Sequence, residues 1–335
     1  MAIEAAFKMG DYVETAEYLR KVTRAKPVVG IICGSGLSGL SRNLKDPITI
    51  PYEQIPGFAQ ATVPGHTGEL VFGDMAGLPT VCMRGRFHFY EGNTMDQVVF
   101  PVRVMRLLGC KLLVVTNAAG GINPTLKVGN CVIIQDHFAL PCITGSNPFM
   151  GHNDDGLGPR FFPVSDTYDT RLQEITLKMA KKIGCTDMMK PNGTYCFVSG
   201  PAYESMAEVK FLRSIGGDSV GMSTIPEVLA AKHMGMKVLG LSLVTNVAIV
   251  EKKKDTVHAS HEEVLAATKE SGIKVEALVK AIVSEENLGS ILQEVPDLDY
   301  KGKKGPASKQ NGNAFNLATG LLAFAALTWF AVVRR

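Results

Sequence analysis

The sequence lacks several features that would assign it to particular protein classes. Its net charge is only +3, and no basic patch interleaved with aromatic residues occurs in the body of the chain, which argues against nucleic-acid binding. Its seven cysteines are scattered singly without a C-x-x-C pair, which argues against a disulfide framework and a zinc site. The N-terminus has no apolar segment of a secretory signal. We therefore expect free thiols in a reducing compartment, no metal and no nucleic-acid partner.

Apolar runs alternate with helical patterns along most of the 335 residues, of which 46% are hydrophobic and 20% charged. This alternation predicts an α/β fold with a buried central sheet, in which ligands bind beyond the carboxyl ends of the strands. The predicted strands are KPVVGIIC, LPTVCMRG, KLLVVTNA, NCVIIQDHFAL, GTYCFVSG and MKVLGLSLVTN. Helices are predicted over 3–24 and in TMDQVVFPVRVMRLLG, DTRLQEITLKMAKKIG, ESMAEVKFLRSIG, TIPEVLAAKHMG and HEEVLAATKESGIKVEALVKAIV.

The stretch ICGSGLSGL contains Gly34, Gly36 and Gly39 in the spacing G-x-G-x-x-G, directly after a predicted strand. That spacing is typical of dinucleotide-binding turns, and Glu53 lies where an acid would contact the ribose of NAD. Against this interpretation, prolines flank Glu53 and interrupt the βαβ unit that a dinucleotide site requires. The same loop can hold a small anion on its backbone N–H groups and the Ser35 hydroxyl, or can be a tight turn without a ligand.

Other groups suited to anions favour the anion-binding interpretation. Arg86 and His88 follow a predicted strand in RGRFHFYEG, and a guanidinium can bind an oxyanion with two hydrogen bonds. His66 lies in the turn PGHTGE, and the small residues of TNAAGGI allow a ligand to approach the backbone at Ala118. Ser223 precedes a predicted helix start, where N–H groups and the helix dipole favour an anion.

Three predicted helix starts have the capping-box spacing, in which two side chains three residues apart satisfy backbone N–H groups. One of them places His261 in the first turn of the last core helix, where the helix dipole favours a neutral imidazole. Another follows Glu204, and an acid so near a helix start often only compensates the helix dipole. The pairs are Ser205 with Glu208, Thr224 with Glu227 and Ser260 with Glu263.

Eight motifs in a fixed order resemble the trimeric purine nucleoside phosphorylase family over residues 3–288. They are GSGLSG, PGHTGE, GRFHFYEG, TNAAGGI, GPAYES, VGMSTIPE, TNVA and HEEVL. The resemblance implies a single-domain phosphorylase fold with a central mixed, partly barrel-like β-sheet flanked by helices. It also implies a homotrimer without a cofactor, in which inorganic phosphate is a co-substrate. The implied reaction is the reversible phosphorolysis of inosine, guanosine and their deoxy forms to free base and (deoxy)ribose 1-phosphate, in purine salvage.

The resemblance also implies roles for individual residues, matched motif by motif. The phosphate-binding residues would be Ser35, His66, Arg86, His88, Ala118 and Ser223. The purine would contact Tyr203, Glu204, Met222 and Asn246, and the ribose would contact Tyr90, Met222, His261 and Phe161, the last from the neighbouring subunit. The catalytic residues would be His88, Glu204, Asn246 and His261.

Asn246 is expected to set the choice of base. Its neutral amide offers a donor and an acceptor at once, which suits N7 and O6 of a 6-oxopurine, while Glu204 can accept from the purine N1–H. The related methylthioadenosine phosphorylases have an aspartate at this position for a 6-amino group, so that rival is disfavoured, as is a catalytically silent nucleoside-binding scaffold. The sequence departs from the family pattern at Val247, where mammalian members carry lysine, at Tyr203 and at Ser38 in the glycine loop.

The last part of the sequence differs from the rest. We predict a catalytic domain over 1–288, a polar linker over 289–313 and a hydrophobic segment over 314–333. The segment is uncharged, about twenty residues long and flanked by basic residues, which favours a transmembrane tail anchor on an intracellular membrane with the catalytic domain in the cytoplasm. The alternatives are a lipid-anchor signal, and a tail that packs as a helix on the trimer or is disordered.

Overall fold

A nine-stranded mixed β-sheet forms the centre of the protein in a computed structural model that describes residues 7–63, 67–251 and 261–298. The helices flank this sheet within one compact unit. The strands are β1 Val29–Cys33, β2 Lys45–Pro51, β3 Glu69–Met75, β4 Leu78–Arg84, β5 Leu112–Gly121, β6 Cys131–Ala139, β7 Met189–Phe197, β8 Ser219–Gly221 and β9 Lys237–Val247. The helices are α1 Met9–Thr23, α2 Met95–Leu108, α3 Leu140–Ile143, α4 Thr170–Lys182, α5 Met206–Ser214, α6 Ile225–His233, α7 His261–Val283 and α8 Leu288–Gln293.

The sheet has an open part and a closed part that share β5. Its strand order is β2-β3-β4-β1-β5-β8-β7-β6-β9, and β9 also pairs with β5, so the last five strands of this order form a closed ring. Parallel and antiparallel pairs both occur, for example β5 with β9 and β6 with β9. The predicted α/β fold with a mixed, partly barrel-like sheet is confirmed.

The open part and the ring separate partway along β5. Leu112–Val115 of β5 pair with β1, whereas Gly120 and Gly121 pair with β8. Over residues 116–119, the edge of β5 that faces away from β9 therefore has neither strand as a partner in the described part of the chain. This fork lies at the carboxyl ends of β1 and β4.

The central strands have continuous apolar sequences because both faces of the sheet are covered. All five residues of β1 are buried, and so are the first six of β5. Helix α7 covers one side with Leu278, Val279 and Ile282, each fully buried. Burying one such side chain contributes about 1.5–3 kcal/mol, so this layer holds the strand ends in fixed positions.

Two helix starts illustrate local control of the fold. At α2 the Thr94 side chain accepts from the Gln97 N–H at 3.2 Å, and Gln97 Oε1 accepts from the Thr94 N–H at 2.7 Å. At α5 the predicted box is present, because Ser205 Oγ accepts from the Glu208 N–H at 3.3 Å and Glu208 accepts from the Ser205 N–H at 2.7 Å. The predicted Ser260–Glu263 box lies outside the described residues.

The compact unit continues past residue 288, where we predicted a polar linker. Helix α8 packs Ile291 and Leu292 into the core. Arg106 Nη2 then donates to the Pro296 carbonyl at 2.7 Å, and Lys111 pairs with Asp297 at 2.9 Å. The stretch has a polar overall composition, but its few apolar residues form the buried face of a short helix.

The predicted tail anchor is corrected by the structure. Throughout residues 7–63, 67–251 and 261–298, no helix has both the length and the apolar character that crossing a bilayer requires. The transmembrane helix, the membrane association and the membrane localisation predicted above are therefore not retained. Residues 314–333 themselves lie outside the described residues.

Candidate active site

One cavity lies at the fork in the sheet and brings together most of the predicted site residues. It is bordered by the carboxyl ends of β1, β4, β8 and β9 and by the part of β5 whose edge opposite β9 pairs with neither β1 nor β8. Parallel strand ends meet there, as expected for ligand sites in α/β folds. The predicted residues that line it are Ser35, Arg86, His88, Tyr90, Ala118, Tyr203, Glu204, Met222, Ser223 and Asn246.

The glycine loop forms one wall of the cavity through Gly34 and Ser35. The Gly34 N–H donates to Thr116 Oγ1 at 2.9 Å, and a Cβ at Gly34 would lie 2.6 Å from the Thr116 carbonyl oxygen. The chain then enters a short 3-10 helix over Ser38–Asn43, and the following strand, β2, pairs only with β3 among the described strands. The βαβ unit of a dinucleotide site is thus absent from this part of the chain, which removes the NAD interpretation.

Arg86 supplies the positive charge of the cavity and is fully buried. Its Nη1 donates to Ser223 Oγ and, at 2.9 Å, to Thr224 Oγ1, while Nη2 donates to the Thr116 carbonyl at 2.8 Å. Its Nε lies 3.5 Å from Oε1 of the equally buried Glu227. These contacts hold the guanidinium plane in one orientation, as a bidentate anion site requires.

His88 is oriented by a carboxylate that we did not single out from the sequence. Glu91 Oε1 lies 2.7 Å from His88 Nδ1 and accepts from the His88 backbone N–H at 2.9 Å, and Glu91 Oε2 accepts from the Thr62 N–H at 2.8 Å. The His88 ring stacks on Tyr90 with ring centroids 4.6 Å apart. The spacing of three residues in HFYE is the signal that could have identified Glu91.

The two partners of this pair have lowered pKa values for different reasons. Burial lowers the pKa of His88, and the Glu91 contact only partly opposes this effect. For Glu91, burial acts to raise the pKa, but hydrogen bonds from His88 and Thr62 outweigh it and lower the pKa to about 2. A neutral His88 with its Nδ1–H directed at Glu91 presents Nε2 as its second hydrogen-bonding atom.

Thr224 does not cap α6, contrary to the predicted capping box. Its φ of +81° is in the left-handed region, which costs a β-branched residue about 1–3 kcal/mol, and its side chain makes no cap hydrogen bond. The hydroxyl instead accepts from Arg86 and, at 3.0 Å, from Asn117 Nδ2. Glu227, the other half of the predicted box, contacts Arg86.

The opposite end of the cavity is formed by Glu204 and Asn246, both half-buried. Burial raises the pKa of Glu204, which is partly opposed by a hydrogen bond with its own backbone. Capping of α5 is performed by Ser205 and Glu208, so Glu204 is not needed for it. Thr245 Oγ1 lies 3.3 Å from Asn246 Oδ1 and donates to it.

Three predicted site residues are not part of this arrangement as described. Phe161 is 88% exposed and lies in the segment between α3 and α4, away from the cavity lining. His66 lies outside the described residues. His261 is the first residue of α7, and its side chain is also outside what the structure describes.

Comparisons with known proteins identify relatives over most of the chain. A model of the phosphorylase superfamily matches residues 28–284. The purine nucleoside phosphorylase of Rattus norvegicus is 46% identical over 281 residues, covering 84% of this chain and 96% of the rat protein. Purine nucleoside phosphorylase 1 of Bacillus subtilis is 43% identical over 280 residues, covering 83% and 99%. The crystal structure of the Schistosoma mansoni purine nucleoside phosphorylase in complex with inosine aligns with a TM-score of 0.80 at 41% identity, covering 84% and 98%.

Proposed function

This chain belongs to the phosphorylase superfamily as one of its purine nucleoside phosphorylases, and we propose how its cavity performs the phosphorolysis of purine nucleosides. Inorganic phosphate is the co-substrate, and in our proposal it binds at the Arg86 end. A 6-oxopurine binds at the end formed by Glu204 and Asn246, with the sugar between them. The observation that supports this assignment is that both ends line the same cavity.

At the phosphate end, the ligand receives hydrogen bonds from the Arg86 guanidinium, the Ser223 hydroxyl, the Ser35 hydroxyl and the backbone amide of Ala118. His88 contributes Nε2, and a bound dianion favours the protonated imidazole because the opposite charge offsets the cost of burial. The fork in the sheet supports the role of Ala118, since that part of β5 has neither β1 nor β8 beside it in the described residues.

The reaction breaks the bond between C1′ of the sugar and N9 of the purine, and the electron pair leaves with the base. A phosphate oxygen donates an electron pair to C1′ and forms the new bond, which gives a sugar 1-phosphate. The sugar gains positive charge in the transition state, and the base gains negative charge. The phosphate stabilises the first charge, and hydrogen bonds to the base stabilise the second.

At the base end, the Glu204 carboxylate accepts from N1–H of a 6-oxopurine, and Asn246 hydrogen-bonds to O6 and N7. The amide can donate and accept at once. A 6-aminopurine lacks the N1–H and offers no acceptor at position 6. We therefore propose inosine and guanosine as the preferred substrates.

For the sugar, we propose contacts from Tyr90 and Met222, which line the same cavity. Three further roles stay predictions. They are the contact of His261 with the ribose, the closure of His66 over the phosphate, and the contribution of Phe161 to a neighbouring subunit's site in a homotrimer. The exposure of the Phe161 ring is compatible with the last of these.

The proposal is tested by measuring hypoxanthine release from inosine in a xanthine-oxidase-coupled assay, with and without phosphate. We expect release only with phosphate, and Asn246→Asp should shift the ratio of kcat/KM between inosine and adenosine toward adenosine by about 100-fold. Asn246→Gln, which retains the amide, is the matched variant and should keep the preference for inosine. Release that is independent of phosphate, or an unchanged ratio in Asn246→Asp, would contradict the proposal.

A further inference from the structure

Thr224 is a fully buried residue beside the phosphate end, and the reaction described above gives it no role. Its left-handed backbone turns the side chain away from the start of α6, where a threonine would ordinarily cap the helix. Strain of this kind persists only where surrounding contacts impose it, and it is concentrated at functional sites. The hydroxyl contacts are among those that hold the residue in place.

Both lone pairs of the Thr224 hydroxyl are occupied. Arg86 Nη1 donates to Oγ1 at 2.9 Å, and Asn117 Nδ2 donates to it at 3.0 Å. Asn117 is itself fixed on its other side, because Ser242 Oγ donates to Asn117 Oδ1 at 2.7 Å. With both acceptor positions filled, the hydroxyl can make one more hydrogen bond, in which it donates its proton.

Within the described residues that proton has one acceptor, Ser223 Oγ, which lies 3.2 Å away. Ser223 Oγ also accepts from Arg86 Nη1, so its own lone pairs are filled as well. The buried Tyr195 hydroxyl lies beside Ser223 and Gly221, but it makes no well-aligned hydrogen bond within the described residues, so it competes only weakly for the Ser223 proton. The Ser223 O–H is therefore directed into the cavity as a donor.

We propose that Thr224 is a positioning residue for phosphate: its hydroxyl fixes the Arg86 guanidinium and turns the Ser223 O–H toward the anion. The inference rests on the proposed function, since it takes the Arg86 end as the phosphate site. Thr224 touches neither substrate. It acts by presenting two donors to the anion before the anion arrives, which lowers the cost of ordering them on binding.

The test compares Thr224→Val, which keeps the β-branched shape and removes the hydroxyl, with Thr224→Ser, which keeps the hydroxyl. We expect Thr224→Val to raise the KM of phosphate about tenfold or more, with the KM of inosine within about twofold of wild type. Thr224→Ser should remain within about threefold of wild type for both substrates. The Kd of inorganic phosphate, measured by calorimetry without nucleoside, should rise in Thr224→Val by the same factor as its KM.

Two further variants keep the result interpretable. Thr224→Ala also lacks the hydroxyl and should reproduce the valine result if the valine protein does not fold. Thr176→Val removes a fully buried threonine hydroxyl far from the cavity, where Oγ1 donates to the Leu172 carbonyl, and should leave the KM of phosphate unchanged. An unchanged KM of phosphate in both hydroxyl-lacking variants, or an equal rise for phosphate and inosine in all three Thr224 variants, would overturn the inference. A wild-type chain without phosphate-dependent release of base would instead refute the proposed function.

Discussion

The two ends of the cavity differ in how firmly the fold holds them. At the phosphate end Arg86 is 1% exposed, and its contacts come from β5, from α6 and from Thr224 just before α6. At the base end Tyr203 is 45% exposed, and within the described residues the Asn246 side chain has a single hydrogen bond, a long one of 3.3 Å to Thr245. The described contacts thus fix the phosphate end more firmly than the base end, so an anion meets donors that are already oriented.

The largest expected effect tests whether the two ends act separately. Glu204→Ala removes the acceptor for N1–H, which strengthens as the base gains charge, so we expect kcat/KM for inosine to fall about 100-fold or more. The KM of phosphate should stay within about twofold, because Glu204 touches none of the phosphate contacts. Steady-state kinetics with each substrate varied in turn measure both values. A parallel loss for phosphate would show that the ends are coupled.

A smaller effect probes the electrostatics of the phosphate end. The pKa of Glu91 is about 2 in the fold and ordinarily 4.5, so its ionised form stabilises the protein above about pH 4.5 and this contribution is lost as the pH falls toward 2. Glu91→Gln should therefore lower the Tm most at pH 7, and the difference from wild type should shrink below pH 4.5. Thermal unfolding at pH 7, 5 and 4 measures this.

The control for that experiment is Glu174→Gln, at an exposed position of α4. Its Tm difference from wild type should be small and similar at all three pH values, because a solvated carboxylate gains little from folding. A Tm difference for Glu91→Gln that did not change with pH would mean that the Glu91 carboxylate is not the source of the stability.

The smallest effect concerns the glycine loop. Ser38 departs from the family pattern, but it begins the 3-10 helix behind the cavity and is not among the lining residues. Ser38→Gly should change the KM of phosphate by less than about twofold, whereas Ser35→Ala, at a lining position, should raise it several-fold. Phosphate titrations of the two variants under the same conditions distinguish the positions. A larger effect at Ser38 would mean that the loop wall is less rigid than its core contacts indicate.

The sequence predicted six of the nine described strands and missed β2, β3 and β8, although β3 is largely buried. The six predicted strands coincide with β1, β4, β5, β6, β7 and β9, because burial on both faces leaves continuous apolar runs. Strand β2 is mostly exposed and contains Pro47, and β8 has only three residues, so neither produces a recognisable pattern. Helix α8 was missed because its few apolar positions lie in a polar stretch.

At the site, the ordered motifs identified the residues that line the cavity. Local sequence patterns did not identify the residues behind them that hold the lining side chains in place. Thr224 and Glu227 match a capping box in sequence, yet both side chains contact Arg86, which is 138 and 141 residues away along the chain. A local pattern does not contain such a contact, because it depends on how β4 and α6 pack. The hydrogen bond from Asn117 to Thr224 could not be predicted for the same reason, because it depends on how distant parts of the chain pack together.

The fork in β5 has a consequence for how this site can change. The opening exists because β1 and β8 pair with different parts of β5 and leave a gap between them. No hinge or lid in the described residues creates it. Closing it would require re-pairing backbone that already bonds to three different strands. The position of this binding site is therefore as stable as the strand pairing of the sheet. Selection, or a protein engineer, can therefore exchange the side chains at its rim and alter which base is accepted, while the location of the chemistry stays where the backbone put it.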